Sequence, residues 1–350
     1  MSLIKVCPLP SIGDILRLYR VRALKKLSQN FLLDMNLNNK IVRAAGIIEN
    51  AEVCEIGPGP GGITRAILDK GPRRLIIIEK DERFKPILES LAQSSYAAFD
   101  AIYGDILRYN MSRSFSKYLE KDWYDDVPSI QLIGNLPFNV ATPLIIRWLK
   151  DISLKRNAWV YGRVPMTLTF QDEVARRIVA PPNSKFRSRL SVMCQTWCEP
   201  HHKFTIPGRA FVPKPDVDVG VVHFTPLKEP GIPLPFEVIE KVVRSIFNCR
   251  QKYLKNTLRH LFPEKMADDM VREMLYLTKL LPHRTAYQLT NENWRSICTA
   301  YKEICDSDPR IYSYDFRGKK KTREDDWMDQ PPVWPLLQDV QNDQKLIEAS

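Results

Sequence analysis

Four consecutive residues, Asn135-Leu136-Pro137-Phe138, bring together an amide, a proline-restricted turn and an aromatic ring. They follow the apolar run Ile130-Gln131-Leu132-Ile133-Gly134, which reads as a short buried strand, and they precede a helical pattern from about Val140. At the carboxyl end of a strand this set makes a pocket for a flat ring that bears an amine. The carbonyl oxygen of Asn135 and the backbone carbonyl of Leu136 can each accept a hydrogen from an exocyclic NH2. Pro137 restricts the turn, and the Phe138 ring can stack on the base. Such equipment suits methyl transfer to the N6 amine of adenine, whereas an ordinary strand-to-helix turn would also use Asn and Pro.

Upstream lies a glycine loop, Glu55-Ile56-Gly57-Pro58-Gly59-Pro60-Gly61-Gly62. Glycines there allow a tight turn and close backbone approach to a ligand. Gly57, Gly59 and Gly62 also fit a dinucleotide fingerprint, so the loop alone is ambiguous. Two features lean away from a nicotinamide cofactor. Glu55 would repel a pyrophosphate but attract the amino or sulfonium end of S-adenosylmethionine, and Pro58 and Pro60 remove amides that a pyrophosphate would use. Glu79, at the end of the next strand, can accept ribose hydroxyls for either cofactor. Asp105, after Gly104, can accept a cofactor adenine amine. With Asn135 the row of strand ends favours a methyltransferase over a dehydrogenase.

The chemistry follows from the amine. Its lone pair is delocalised into the ring, and two carbonyl acceptors on its hydrogens favour a more tetrahedral, nucleophilic nitrogen while stabilising the positive charge that develops. Positioning supplies much of the remaining acceleration. None of the five histidines lies in these motifs, so no dedicated general base is expected. Phe138 should cover one face of the base and Phe211 the other, the alternative for Phe211 being core packing.

These residues need a scaffold of alternating elements. Strands are expected at Val53–Ile56, Leu75–Ile78, Asp100–Tyr103 and Ile130–Ile133, with helices between them, giving a doubly wound, mostly parallel α/β sheet of Rossmann-like class. A strand at Met166–Phe170 runs into a helix over Gln171–Ile178, and Val217–Phe224 is a further strand. Arg189–Trp197 alternates as a strand would. On that reading Cys194 and Cys198 stand roughly 13 Å apart, too far to share one zinc with His201 and His202 at thiolate bonds of about 2.3 Å, so no metal is expected. The proline-rich stretch from Thr225 to Pro235 reads as a linker. Beyond it, Phe236 to about Cys305 is helical in pattern, and its first helix carries Lys241, Arg244, Arg250, Lys252, Lys255, Arg259 and His260. That stripe is either a solvated face or, as favoured here, a nucleic-acid contact. From Ser307 the chain turns polar and is expected to be disordered.

Taken together, these motifs resemble the rRNA adenine N6,N6-dimethyltransferase family from about Leu27 to Cys305. Leu27-Ser28-Gln29-Asn30-Phe31-Leu32-Leu33-Asp34 is similar to its amino-terminal signature, and the glycine loop, Glu79-Lys80-Asp81, Gly104-Asp105 and Asn135 to Phe138 follow in the family's order. Gln171 to Arg177 and Phe211 to Asp218 match two further motifs seldom found outside it. Ser28, Val219-Gly220 and Met166 to Gln171 follow the mitochondrial branch. The resemblance implies a class I methyltransferase fold with a smaller all-helical carboxyl-terminal domain. It also implies S-adenosyl-L-methionine as cofactor, held by Gln29, Asn30, Leu32, Glu55, Gly57, Gly59, Glu79, Lys80, Asp105, Ile106 and Asn135. The implied substrate is a pair of adjacent adenines in a hairpin loop near the 3′ end of small-subunit rRNA, each methylated twice on N6 during assembly of that subunit. The mitochondrial branch further carries an attribution to transcription, so a transcription factor that keeps the fold stands as the alternative function. A DNA adenine methyltransferase is disfavoured, because Leu136 and a single Pro replace its usual Pro-Pro.

The expected organisation is a basic segment at 1–26, a methyltransferase domain at 27–228, a helical RNA-binding domain at 229–306 and a charged tail at 307–350. A net charge of +11 and a pI near 9.2 suit a polyanionic partner such as RNA, with Arg176, Arg187, Arg189, Lys214, Arg250 and Lys252 as candidate stem contacts that sequence does not assign one by one. Seven cysteines without regular spacing point to a reducing compartment. No apolar run approaches a membrane span, so no membrane partner is expected, and the protein is expected to act as a monomer. Before Leu27 the chain has six basic residues against Asp14, with a helical face of Ile12, Ile15, Leu16 and Tyr19. That segment is either a mitochondrial signal, which would direct the chain to the matrix, or a retained arm for RNA phosphates.

Overall fold

The structure, a computed structural model, describes residues 10–24 and 29–317. In chain order its elements are α1 (Ile12–Leu18), β1 (Phe31–Leu32), α2 (Met35–Ala45), β2 (Glu52–Ile56), α3 (Gly62–Leu68) and β3 (Arg74–Glu79). Next come α4 (Lys85–Gln93), β4 (Ala98–Tyr103), β5 (Ile130–Gly134), α5 (Phe138–Ser153), β6 (Met166–Gln171), α6 (Asp172–Ile178) and α7 (Arg189–Trp197). They are followed by β7 (Cys198–Ile206), β8 (Phe211–Val212), β9 (Val219–Pro226), α8 (Phe236–Phe247), α9 (Leu254–Leu258), α10 (Ala267–Thr278), α11 (Asn291–Ser307) and α12 (Arg310–Ser313). The described residues fall into two compact units: those up to 176 together with 199–228, and 177–198 together with 229–317.

The first unit is built on a seven-stranded sheet of order β4-β3-β2-β5-β6-β9-β7. Strands β4, β3, β2, β5 and β6 run parallel, and β9 pairs antiparallel with β6. Every residue of β2 and β5 is buried, as central parallel strands covered on both faces require. Edge strand β4 is only half-buried. Helix α2 starts where the Asp34 side chain accepts from the amides of Asn36 and Leu37, and it stops at Gly46, whose φ is 106°. The chain turns one way from β2 to β3 and the other way to β5, so the switch point falls between β2 and β5.

The basic amino-terminal segment also belongs to this unit. Ile12, Ile15 and Val21 are buried, and Arg65 Nη1 donates to the Pro10 carbonyl at 2.6 Å. The expected helical face is present, but it packs on the core rather than standing free. Lys5, Lys25 and Lys26 lie outside the described residues.

In the second unit, Trp294 stacks on Phe247 at a centroid distance of 5.2 Å, and Phe262 meets Tyr301 edge-on at 5.9 Å. Several expectations are corrected here. Residues 189–197 form helix α7, not a strand. Ser191 Oγ accepts from the Ser188 amide at its start, and the helix is buried nearly all round, so its apolar residues show no helical period. The zinc geometry argued from a strand falls with it. Among the described residues no three His, Cys, Asp or Glu side chains are grouped to hold a metal ion. The segment 177–198, assigned to the methyltransferase domain from sequence, sits in the helical unit.

The basic stripe is not one helix either, since α8 ends at Phe247 and α9 begins at Leu254. Lys241 is buried: its Nζ donates to the Tyr312 carbonyl and lies 4.5 Å from the Tyr312 ring centroid. Arg187 is fully buried, bonded to Ala180 O, Gln195 Oε1 and Asn291 Oδ1, which removes it from the RNA-contact set. Arg189 is tied to Glu240 at 2.6 Å. Residues 307–317, expected to be disordered, include α12 with Ile311 buried, and Phe316 stacks on His260. The rest of the tail, 318–350, lies outside the described residues.

Candidate active site

Parallel register places Ile56 of β2 opposite Gly134 of β5, so the residues that follow, Gly57 and Asn135, emerge side by side at the switch point. The loop after β2 turns through Gly57 (φ 68°) and Gly59 (φ 52°), a left-handed backbone that side chains resist. It is anchored where the Gly57 amide donates to Ile78 O at 2.9 Å. One cleft opens above it. Its lining includes Gln29, Asn30, Leu32, Glu55, Gly57, Gly59 and Glu79, together with Asn135, Leu136, Pro137, Phe138 and Phe211. Pro137 caps α5, so Phe138 opens that helix at the cleft edge. Phe211 is only 2 % exposed and belongs to the hydrophobic core, while its β8 pairing with Leu32 keeps it in the cleft wall.

The floor is acidic. Glu55 is 1 % exposed, and its Oε2 accepts the Thr64 hydroxyl at 2.7 Å. Burial, with Glu79 nearby and only partly offset by Thr64, pushes the Glu55 carboxyl up to about 8. Glu79 accepts the Gly59 amide at 3.0 Å and the Asp81 amide at 2.7 Å, and burial raises it despite these bonds. A clasp runs beside it. Gln29 Nε2 donates to Asp81 Oδ2 at 2.8 Å, and Arg83 grips both Asp81 oxygens and the Arg22 carbonyl. Gln29 Oε1 in turn accepts the Leu24 amide, tying the amino-terminal segment to the wall of the cleft.

Three expected cofactor residues stand off the cleft wall. Asp105 follows β4, where Lys80 Nζ pairs with it at 2.7 Å and the Leu107 amide donates to it. Ile106 is buried beside it. Other residues escaped the sequence reading. Asn38 lines the cleft from the buried stripe Asn38, Ile41, Val42 and Ala45 of α2, where a polar residue among apolar ones was the available signal. Thr64 and Thr169 carried no signal, because their partners Glu55 and Asn135 are set by the fold.

The fold and cleft define a class I methyltransferase with S-adenosylmethionine as its cofactor. The residues fit that group: a buried carboxyl whose bonded partner is a neutral hydroxyl suits a cationic ligand, and Gly57 and Gly59 leave room for it. The model of the ribosomal RNA adenine dimethylase family matches residues 20–301. Dimethyladenosine transferase 1, mitochondrial, of Xenopus tropicalis is 51% identical over 317 residues, covering 91% of this chain and 92% of that one. Its Homo sapiens counterpart is 49% identical over 324 residues, covering 93% and 94%. A crystal structure of a dimethyladenosine transferase from Plasmodium falciparum superposes with a TM-score of 0.58 at 18% identity, over 77% of this chain and 96% of that one, a likeness of fold. The chain belongs to the ribosomal RNA adenine dimethylase family, and it is an rRNA adenine dimethyltransferase.

Proposed function

We propose that this enzyme works in the mitochondrial matrix and dimethylates the N6 amines of two adjacent adenines in a hairpin loop near the 3′ end of small-subunit rRNA, as a monomer serving assembly of that subunit. The observation that carries the reading is Asn135, half-buried at the end of β5 beside the Gly57 loop and in the same cleft. The relatives' names support the compartment, and the net charge of +11 supports an RNA partner.

Asn135 Oδ1 and the Leu136 carbonyl accept the two hydrogens of the target amine and sharpen its lone pair. Phe138 stacks on one face of the base, and Phe211 closes the wall behind it. Gln29, Asn30, Leu32, Gly57, Gly59 and Glu79 hold the cofactor, whose sulfonium makes its methyl group electrophilic. Asp105, with Lys80 and Ile106 flanking it, accepts the cofactor's adenine amine next to Glu79. Loop adenines cost less to unstack than paired ones, which suits a site without strand-opening wedges.

The test is transfer of labelled methyl from S-adenosylmethionine to a small-subunit rRNA hairpin, with the product digested to nucleosides. Dimethyladenosine from wild type and a loss on the order of 100-fold or more in Asn135→Ala are expected. A folded wild type that binds the cofactor yet leaves hairpin and assembled subunit unmethylated would sink the reading and favour a nucleic-acid-binding role in transcription.

A further inference from the structure

We propose that Thr169 is a positioning residue for the reaction: its hydroxyl holds the Asn135 amide in the rotamer that turns the carbonyl oxygen to the target amine. The inference rests on the reading that Asn135 accepts hydrogens from that amine.

Strands β5 and β6 are parallel, with Gly134 opposite Leu168, so Asn135 and Thr169 are neighbours across the pair. Thr169 Oγ1 donates to Asn135 Oδ1 at 2.8 Å, and Thr169 is fully buried. Flanked by Leu168 and Phe170 and opposite Val221 of β9, the hydroxyl lies among apolar neighbours along and across the strand. This matters because an amide is nearly symmetric in shape. Turned by 180°, Asn135 would set its NH2 against the amine of the base, donor against donor, and would donate to the Thr169 oxygen, leaving the Thr169 proton to find another acceptor. A buried hydroxyl proton left without an acceptor is costly, so Thr169 penalises the flipped state. The oxygen keeps a second lone pair for the base. Two residues earlier on the same face, Thr167 is also fully buried, but its hydroxyl is engaged with His223 Nδ1 at 2.9 Å. Residue type and burial are therefore matched at the two positions; Thr169 bonds a residue of the cleft, and Thr167 bonds His223 instead.

The experiment compares Thr169→Val, which keeps the shape and removes the hydroxyl, with Thr169→Ser, Thr167→Val and Asn135→Ala on the rRNA hairpin. Thr169→Val should lower kcat on the order of 10-fold or more, with the hairpin KM and the cofactor Kd changed less than about 2-fold. Thr169→Ser should recover most of the loss, and Thr167→Val should keep the wild-type kcat. Wild-type kcat in Thr169→Val would overturn the inference. So would a loss that Ser does not rescue, or one matched by a parallel loss of cofactor affinity and Tm, because strand packing would then explain it. Wild-type kcat in Asn135→Ala would instead overturn the reading of Asn135 on which the inference stands.

Discussion

Glu55→Gln separates the cost of the buried carboxyl from its use. In the folded protein the carboxyl is raised from 4.5 to about 8, chiefly by burial. The folded state therefore keeps a proton that the unfolded chain releases above pH 4.5, and stability falls as pH rises from there through 8. At about 1.4 kcal/mol per pH unit the whole loss is roughly 5 kcal/mol, of which roughly 1 kcal/mol falls between pH 7 and 9. Gln keeps the shape and can still accept from Thr64, but it carries no charge to desolvate. The variant should be the more stable protein, with its Tm advantage over wild type widening by about 2–4 °C between pH 7 and 9. It should also bind S-adenosylmethionine on the order of 10-fold more weakly, having lost the charge that a cation would meet. Calorimetry in two buffers of different ionisation enthalpy should further show wild type, at pH 7, releasing close to one proton per cofactor and the variant none. Thermal melts across pH 6 to 9 decide the matter: parallel Tm profiles for the two proteins would refute a buried, mostly protonated Glu55.

Two further outcomes follow from burial. A chain lacking residues 1–24 should lose at least about 3 kcal/mol against one lacking only 1–9, because Ile12, Ile15 and Val21 leave the core; its cofactor affinity, read by titration, should drop as well, since Arg22 and Leu24 no longer brace Arg83 and Gln29. Lys241 is lowered to about 8 by burial, so the unfolded chain binds the extra proton between pH 8 and 10.5 and stability rises through that window. Urea melts should show wild type gaining roughly 3 kcal/mol on Lys241→Met between pH 7.5 and 10.5.

The strands were legible because their signals are local. Leu75–Ile78 is a continuous apolar run, Val53–Ile56 and Ile130–Ile133 are broken only by Glu55 and Gln131, and the glycine loop announces a turn whatever surrounds it. Residues 189–197 were misread because a helix buried nearly all round has no polar face to reveal its period. Lys241 and Arg187 read as surface cations, yet Lys241 is buried against the carbonyl and ring of Tyr312 and Arg187 is buried with a bond to Asn291, both partners far away in the chain. The ion pair of Asp105 with Lys80, 25 positions away, was likewise not legible in the sequence.

From the amino acids alone came the inventory of the chemistry: an amide, a proline turn and a ring after one strand, a glycine loop after another, and carboxylates at the strand ends. Their assembly belongs to the fold. Gly57 and Asn135 are 78 positions apart in the chain, and parallel register alone makes them neighbours. The parallel pairing of β5 with β6 sets Thr169 against Asn135, and burial beside Thr64 and Glu79 sets the charge of Glu55. Register and desolvation depend on what packs beside a residue, and that is decided by segments far away in the chain.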